Sequence, residues 1–291
     1  MIVNLKFITR FAPSPTGPLH LGHAYSALLA YDMARAQNGQ FLLRIEDLDS
    51  TRARPEWEDQ IYDDLGWLGL TWQAPVLRQS ERMPAYRAAL TRLWALGLVY
   101  PCTCSRRDIA EAASAPQEGV PPAFGPDGLI YPGTCRHVPN PAAPLPNTVL
   151  RLNMARALKA LANPLTFVET GAGPAGETGE IVLSHNMLRD EVGDIILARA
   201  GLGASYHLSV VLDDAVQNIS LVPRGQDLFT ATFIHVVLQK LMGLPTPTYH
   251  HHKLIRDAAG KRLAKRDDAR AIRLFRTEGK TPADIRAMVG L

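Results

Sequence analysis

Apolar residues in the first hundred positions recur with two different spacings, which predict strands alternating with helices. The apolar runs 7–12 and 41–46 are short enough to be buried strands, and the apolar run 24–37 between them has the length of a helix. A strand, a helix and a second strand in this order form a βαβ unit, whose ligands bind at the carboxyl ends of the strands. The pattern therefore predicts an α/β fold.

Further along the chain, three segments continue this alternation. Apolar residues lie three or four positions apart in 57–68 and 86–97, and the run 228–241 also has helical character. The apolar run 206–212 ends in two aspartates, and we expect it to be another buried strand. Such an alternation is typical of a nucleotide-binding α/β domain.

The segment 101–148 breaks the pattern, because nine prolines fall between Pro116 and Pro146. Proline has no N–H to donate and a fixed φ, so a regular helix or sheet cannot continue for long here. We expect either an extended loop or a small inserted module.

All three cysteines of the chain lie in this irregular segment, at Cys102, Cys104 and Cys135. Cytoplasmic proteins rarely use cysteines as disulfides, whereas a zinc ion held by thiolates can order a segment with little core. The expected cofactor is one structural Zn²⁺, and the alternative is three thiols that bind no metal. The fourth ligand of the zinc ion must be another residue type; Tyr131 and His137 are both candidates, and imidazole binds zinc far more often than phenolate does.

Composition and charge narrow the class of protein. The chain has 291 residues, of which 46% are hydrophobic and 20% charged, as in a soluble protein with a real core. No apolar stretch approaches the ~18 residues that cross a membrane, and residues 1–6 carry no signal-peptide pattern. We therefore expect a cytoplasmic protein without a membrane partner.

The charge is unevenly distributed. Residues 251–291 carry eleven Lys or Arg against five Asp or Glu, a local charge of +6, which leaves −3 on the other 250 residues. A basic terminal segment on a near-neutral body suits contact with phosphates or nucleic acid. A solvated helical face with additional arginines is the alternative.

A turn-rich loop, RFAPSPTGPLHLGH, runs from Arg10 to His23 after the first predicted strand. His20 and His23 would lie at a helix N-terminus, where backbone N–H groups and the helix dipole favour anions. Gly22 has no side chain and lets a bulky ligand approach the backbone closely. The predicted ligand is a nucleotide with its phosphates.

The tetrapeptide His20-Leu21-Gly22-His23 resembles the first signature of class I aminoacyl-tRNA synthetases. The longer phrase 10–23, together with RIEDLDSTR at 44–52, resembles their glutamate-specific branch. The resemblance extends from Phe7 to about Arg266. It implies a class I synthetase Rossmann-type nucleotide-binding domain with an inserted zinc-containing, acceptor-binding-like subdomain, and activation of L-glutamate by ATP with its Mg²⁺.

The resemblance also implies roles for individual residues. Arginines suit the carboxylates of an amino acid, and an acidic side chain suits its ammonium group. The residues expected to bind glutamate are Arg10, Ala12, Ser14, Glu46, Tyr206 and Arg224. The residues expected to bind ATP are His20, Gly22, His23 and Lys265, of which the two histidines and the lysine would be catalytic. For zinc, the resemblance favours Tyr131 over His137 beside the three cysteines.

The second class I signature departs from the family form, Lys-Leu-Ser-Lys-Arg. The chain has Gly260-Lys261-Arg262-Leu263-Ala264-Lys265-Arg266, so an arginine replaces the first lysine and an alanine replaces the serine. Lys265, the lysine most directly tied to ATP, is kept. We expect activity to be retained, at a reduced rate.

Four parts follow from the resemblance: the two halves of the nucleotide-binding domain at 1–100 and 201–250, the zinc subdomain at 101–200, and a loop with a basic tail at 251–291. No anticodon-binding domain is expected. A branch of the family with this architecture attaches glutamate to the cyclopentenediol of queuosine at the wobble position of tRNA(Asp). The expected partners are thus L-glutamate, ATP and queuosine-containing tRNA(Asp), bound by a monomer. The alternatives are a truncated synthetase that charges a tRNA 3′ end and a non-catalytic sensor of tRNA or an amino acid.

Overall fold

The N-terminal region of the protein contains a parallel sheet with helices between its strands. The computed structural model describes residues 6–114, 123–136, 142–162, 164–201, 203–255 and 270–291. Strands β1 (Ile8–Phe11), β2 (Gln40–Ile45) and β3 (Leu77–Arg78) pair in parallel in that order. Helix α1 (Leu21–Ala36) connects the first two strands, and α2 (Pro55–Trp67) follows the second. The predicted βαβ unit is therefore confirmed.

Helix α1 packs closely because small residues occupy its inner face. Ala24, Ala27, Ala30 and Ala34 recur at spacings of three or four, and none is more than 1% exposed. This spacing places them along one side of the helix, where they contact the apolar core that also includes residues of β1 and β2.

An antiparallel sheet forms the middle of the protein. Its strand order is β11-β10-β7-β4, and every neighbouring pair is antiparallel. A two-stranded hairpin, β5 with β6, lies in the proline-rich segment, so part of that segment is a small ordered module. The elements of this region are α3 (Met83–Ala95), β4 (Val99–Cys102), α4 (Arg106–Ser114), β5 (Phe124–Gly125), β6 (Gly128–Leu129), β7 (Val149–Leu152), α5 (Met154–Lys159), α6 (His185–Met187), β10 (Ile196–Arg199) and β11 (Gly203–Ala204).

A four-stranded mixed sheet adjoins the parallel sheet of β1, β2 and β3. It contains β12 (Leu221–Gly225), β13 (Thr248–His252), β8 (Leu165–Glu169) and β9 (Gly179–Leu183) in that order, and only the last pair is antiparallel. The Ser220 backbone N–H donates to the Ile8 carbonyl at 3.0 Å, which joins this sheet to β1. Strands β8 and β9 come from within 101–200, yet they pair with this sheet. Helix α8 (Ala231–Met242) connects β12 to β13, and it confirms the helix expected at 228–241.

The segment expected to be a strand at 206–212 is helix α7 (Tyr206–Val216), so that prediction was wrong. Ser205 begins the helix by accepting a hydrogen bond from the Leu208 N–H through its side chain. A short apolar run buried on several sides has no periodicity that separates a strand from a helix. The error matters because the helix carries Asp213 and Asp214 into the core.

The end of the basic segment, residues 270–291, contains two helices and packs on α1. Helices α9 (Ile272–Thr277) and α10 (Pro282–Val289) lie there, and Ile272 and Ile285 are fully buried. The Ile272 N–H donates to the Leu19 carbonyl at 2.9 Å, so the segment returns to the loop that contains His20. Among the described helices, none has the length and hydropathy that a membrane span requires.

Candidate active site

The two motif histidines cap the helix that follows them. His20 Nδ1 accepts from the Gly22 backbone N–H at 3.1 Å, and His23 Nδ1 accepts from the His20 backbone N–H at 3.2 Å. The rings stack with their centroids 3.7 Å apart. Since both Nδ1 atoms accept, each neutral ring carries its proton on Nε2. The backbone N–H groups of His20 and Gly22 are therefore already bonded to the histidine rings, which differs from the expectation that the backbone N–H groups here bind an anion.

A cavity of about 360 Å³ lies between the N-terminus of α1 and the ends of β1 and β12. It brings together most of the residues that the sequence nominated, although they come from distant parts of the chain. Those lining it are Arg10, Ala12, His20, Gly22, His23, Glu46, Tyr206 and Arg224. Ser14 lines an adjoining cavity of about 370 Å³ that shares Ala12, His23 and Glu46 with the first. Lys265 lies outside the described residues.

Arg10 is held by a buried ion pair. Its Nε lies 3.1 Å from Asp214 Oδ1, and Arg44 approaches the same oxygen at 2.6 Å. Arg44 also contacts Glu46 Oε1 at 3.1 Å. Burial raises the pKa of Asp214, but the two guanidinium groups outweigh it and hold this pKa at about 2. Burial raises the pKa of Glu46, and Arg44 and Arg10 oppose that rise.

Arg224 reaches the same cavity from β12, but its direct protein partners are neutral. Its Nε–H donates to His251 Nε2 at 3.1 Å, and its NH1 group lies 3.2 Å from His235 Nδ1. Its NH2 group donates to Thr232 Oγ1 at 2.5 Å. The cavity therefore has one arginine with a carboxylate against it and one whose near neighbours carry no charge.

Comparison with known proteins identifies the family. The model of the catalytic domain of class I tRNA synthetases for E and Q matches residues 6–124 and 177–291. The glutamyl-Q tRNA(Asp) synthetase of Rhodobacter capsulatus is 63% identical over 286 residues, covering 98% of this chain and 100% of that protein. The chain belongs to the glutamyl-Q tRNA(Asp) synthetase family. It is an enzyme, a ligase of the class I synthetase type.

More distant relatives agree with this family assignment. The protein of the same name from Geobacter sulfurreducens is 41% identical, covering 90% of this chain and 76% of that one. A solved glutamate tRNA ligase from Elizabethkingia meningosepticum, in complex with its amino acid, superimposes with a TM-score of 0.69 at 27% identity. That match covers 90% of this chain and 52% of the other, so the synthetase spans about half the length of that ligase.

A further solved structure shares the fold alone. The methionyl-tRNA synthetase of Mycobacterium tuberculosis is 13% identical with a TM-score of 0.56, over 98% of this chain and 64% of the other. Sequence similarity this low carries no information about the amino acid bound. The shared feature is the class I catalytic fold.

The three cysteines of the synthetase come together as free thiols. Their Sγ atoms lie within 4.8 Å of one another, and Cys104 Sγ is 3.3 Å from Cys135 Sγ. Tyr131 Oη lies 3.5 Å from Cys102 Sγ and 3.3 Å from Cys104 Sγ. This donor set suits zinc, which takes thiolates in tetrahedral sites with Zn–S distances near 2.3 Å. His137, the other candidate ligand, lies outside the described residues.

The surroundings of the cluster favour the thiolate form at Cys135 but not at Cys104, where burial raises the pKa of the thiol. Arg151 Nε donates to Cys102 Sγ at 3.3 Å, and its guanidinium lies 4.0 Å from the centre of the Tyr131 ring. Burial raises the pKa of the Cys135 thiol, but hydrogen bonds from Tyr131 and Thr103 outweigh it and bring this pKa to about 6. A thiolate is the form that binds a metal ion.

Sequence reasoning missed the groups that support the two arginines. Asp214 was assigned to the end of a strand, and its contacts depend on α7 being a helix. His251 lies in the run His250-His251-His252, which is not among the residues that the motifs nominated. Alternation along β13 was the available signal, because it places His251 on the face opposite His250 and His252.

Proposed function

We propose that the synthetase activates L-glutamate with ATP in the absence of tRNA, and transfers it to the queuosine cyclopentenediol at the wobble position of tRNA(Asp). One observation carries the activation step: two arginines, a carboxylate and the capping histidines of α1 all line one cavity. The queuosine acceptor is supported by the names of relatives that match nearly the whole chain.

Two group transfers make up the proposed reaction. A carboxylate oxygen of glutamate attacks the α-phosphorus of ATP, and the bond to the β-phosphate bridging oxygen breaks, releasing pyrophosphate. A hydroxyl of the cyclopentenediol then attacks the carbonyl carbon of glutamyl adenylate. AMP leaves, the hydroxyl proton passes to solvent, and an ester remains. Catalysis of both steps rests on in-line positioning and on neutralising phosphate charge.

The residues at the cavity match these needs. Arg10 and Arg224 provide donors for carboxylates, and Glu46 provides a carboxylate for the α-ammonium group. His20 and His23 offer Nε2–H groups to phosphate oxygens. We assign Ala12, Ser14 and Tyr206 to the walls of the glutamate site, and Gly22 to close approach by ATP. Lys265 and the Mg²⁺ that accompanies ATP would neutralise phosphate charge.

Cys102, Cys104, Cys135 and Tyr131 would hold one structural zinc ion. The ion would crosslink the end of β4 to the turn at 131–135, in a region with few apolar residues of its own. We expect one equivalent of zinc in the purified protein by mass spectrometry. Cys104→Ser should lower that content well below one equivalent, and an undiminished content would contradict the site.

Because ATP and tRNA are cytoplasmic, we place the enzyme in the cytoplasm.

The activation step is tested by glutamate-dependent exchange of labelled pyrophosphate into ATP without tRNA. The proposal predicts exchange with glutamate, and much less with glutamine. Exchange that appears only after tRNA is added would contradict tRNA-independent activation. The acceptor is tested by incubating the enzyme with labelled glutamate and tRNA(Asp) with or without queuosine, where label is expected only on the modified tRNA.

A further inference from the structure

Three histidines lie behind Arg224, away from the cavity. His251 on β13 and His235 on α8 each contact the guanidinium, at 3.1 and 3.2 Å. His207 on α7 contacts His235, with 3.2 Å between His207 Nδ1 and His235 Nε2. His251 is 1% exposed and His235 is 2% exposed, and none of the three lines the cavity. Two of the cavity-lining residues contact them: Arg224, and Tyr206, whose ring packs edge-on against His207 and His235.

A carboxylate closes each end of this chain of rings. On one side, His251 Nδ1 lies 2.5 Å from Glu169 Oε2, and Glu169 also accepts from the His251 and Gly171 backbone N–H groups. On the other side, His207 Nε2 lies 3.6 Å from Asp127 Oδ1. Glu169 and Asp127 therefore approach Arg224 only through intervening histidines.

The direction of every hydrogen bond follows from the guanidinium. Arginine has N–H donors and no acceptor, so His251 Nε2 and His235 Nδ1 must both accept. The proton of each neutral ring is then on its other nitrogen. His251 Nδ1–H donates to Glu169, His235 Nε2–H donates to His207 Nδ1, and His207 Nε2–H points to Asp127. One arrangement of protons therefore satisfies every hydrogen bond from Arg224 through the three histidine rings to the two carboxylates.

These hydrogen bonds also limit the number of N–H donors that Arg224 can direct to a ligand. A guanidinium has five N–H groups. Within the described residues, His251, His235 and Thr232 take three of them, which leaves two. Two parallel N–H donors are what one carboxylate binds in the bidentate mode. Within the part of the chain that the structure describes, these partners are neutral, and the positive charge of Arg224 is not paired directly with an anion.

We propose that His235 and His251 are positioning residues, neutral hydrogen-bond acceptors that fix the Arg224 guanidinium so that its two remaining N–H groups face a carboxylate of the amino-acid substrate. The inference rests on the proposed function, because the substrate carboxylate is that of glutamate. Burial lowers the pKa of both histidines, which keeps the rings in the accepting form. A lysine or a protonated histidine in either place could not accept and would repel the guanidinium.

The test compares an acceptor with a non-acceptor at position 235. The His235→Asn variant keeps an oxygen near the place of Nδ1, whereas His235→Leu has similar bulk and no acceptor. His250→Leu is the control, because His250 lies on the same strand as His251 but bonds to Thr170. The KM for glutamate and the KM for ATP are measured separately by pyrophosphate exchange without tRNA, on variants whose thermal unfolding is cooperative.

The proposal predicts that His235→Leu raises the KM for glutamate about 10- to 100-fold, the effect of losing a hydrogen bond to a charged group. The KM for ATP should stay within twofold, and His235→Asn should recover most of the loss. Equal losses in both KM values, or equal behaviour of the Asn and Leu variants, would overturn the positioning role.

A second measurement does not depend on activity. Nitrogen-15 NMR of the histidine rings reports which nitrogen carries the proton. We expect Nδ1–H for His251 and Nε2–H for His235 and His207. The opposite tautomer at His251 or His235 would overturn the positioning role, whether or not the enzyme is active. Absence of glutamate-dependent exchange in the wild-type enzyme would instead reject the proposed function.

Discussion

Two arginines reach the same cavity, and their surroundings differ. Arg10 lies against Asp214, which also binds Arg44, so its charge is compensated within one ion-pair cluster. Arg224 lies against two neutral histidines and a threonine, with the nearest carboxylate of that network, Glu169, behind His251. Arg10 is in direct contact with an opposite charge, whereas the ring of His251 lies between Arg224 and Glu169.

Because of this difference, mutations in the two regions should affect different properties of the protein. A buried ion pair that loses one partner leaves an uncompensated charge, so loss of Asp214, the shared partner of Arg10 and Arg44, should act mainly on stability. A cation with neutral neighbours keeps its charge for a ligand, so the Arg224 cluster should matter mainly for substrate binding. Each prediction below separates these two outcomes.

Of the effects on activity, the largest is expected from Arg224→Gln. We predict a fall of about 10²- to 10³-fold in kcat/KM for glutamate-dependent exchange, because a buried, hydrogen-bonded charge contact to substrate is worth about 3–4 kcal/mol. The unfolding midpoint in urea should change little. If the variant unfolds at a much lower urea concentration but keeps its kcat/KM, then Arg224 acts on stability and not on substrate binding, contrary to the prediction.

Asp214→Asn should act on stability instead. The variant leaves Arg10 and Arg44 buried without their shared carboxylate, and we expect a loss of about 3–5 kcal/mol in the free energy of unfolding. Urea denaturation at pH 7 measures it. Asp190→Asn is the matched control, since Asp190 pairs with Arg189 at the surface and should leave the midpoint unchanged. Similar midpoints for both variants would contradict the prediction.

The two regions should lose their contributions to the free energy of unfolding at different pH values. His235 is neutral in the folded protein because burial, and then Arg224, lower its pKa. An unfolded chain takes up a proton near pH 6.5, so stability falls as the pH drops below 6.5, by up to about 1.4 kcal/mol per pH unit for this histidine. Asp214 has a pKa of about 2, below its ordinary 3.8, so its contribution is complete above pH 3.8 and is lost as the pH falls toward 2.

Urea denaturation at pH 7, 6 and 5 checks the histidine contribution. We expect the free energy of unfolding to decrease across this range in the wild type, and the decrease to be smaller in His235→Asn, which has one titrating group fewer. Equal slopes for the two proteins would show that His235 is protonated in the folded state or exposed to solvent.

The smallest effect is expected from Thr232→Val. The change keeps the shape of the side chain and removes the hydroxyl that accepts from the Arg224 NH2 group. The KM for glutamate should rise about fivefold to tenfold, close to 1 kcal/mol, and the KM for ATP should not change. An effect as large as that of His235→Leu would mean that the two acceptors are equivalent.

The sequence predicted the first half of the fold well, because β1, α1 and β2 carry strong, uninterrupted apolar patterns. It also nominated eight of the residues that line the cavity, because the loop 10–23 contains five of those eight in one contiguous phrase. The helix α7 was missed because a short buried run has no distinctive period, and Asp214 was misplaced with it.

The groups behind the arginines could not be predicted for a different reason. His207, His235 and His251 belong to two helices and a strand, and 28 positions separate the first two. A single polar residue in an apolar segment gives no indication of its partner, because packing between elements decides it. The cysteine cluster was easier to predict, since its three thiols are the only cysteines in the chain.

One measurement tests the central claim most directly: transfer of labelled glutamate to queuosine-containing tRNA(Asp) whose 3′ terminal adenosine has been removed. The account predicts that label is still incorporated, and that the same tRNA without queuosine accepts none. Label on tRNA(Glu) that disappears with the terminal adenosine would contradict the account, and would make this chain a synthetase that charges the 3′ end.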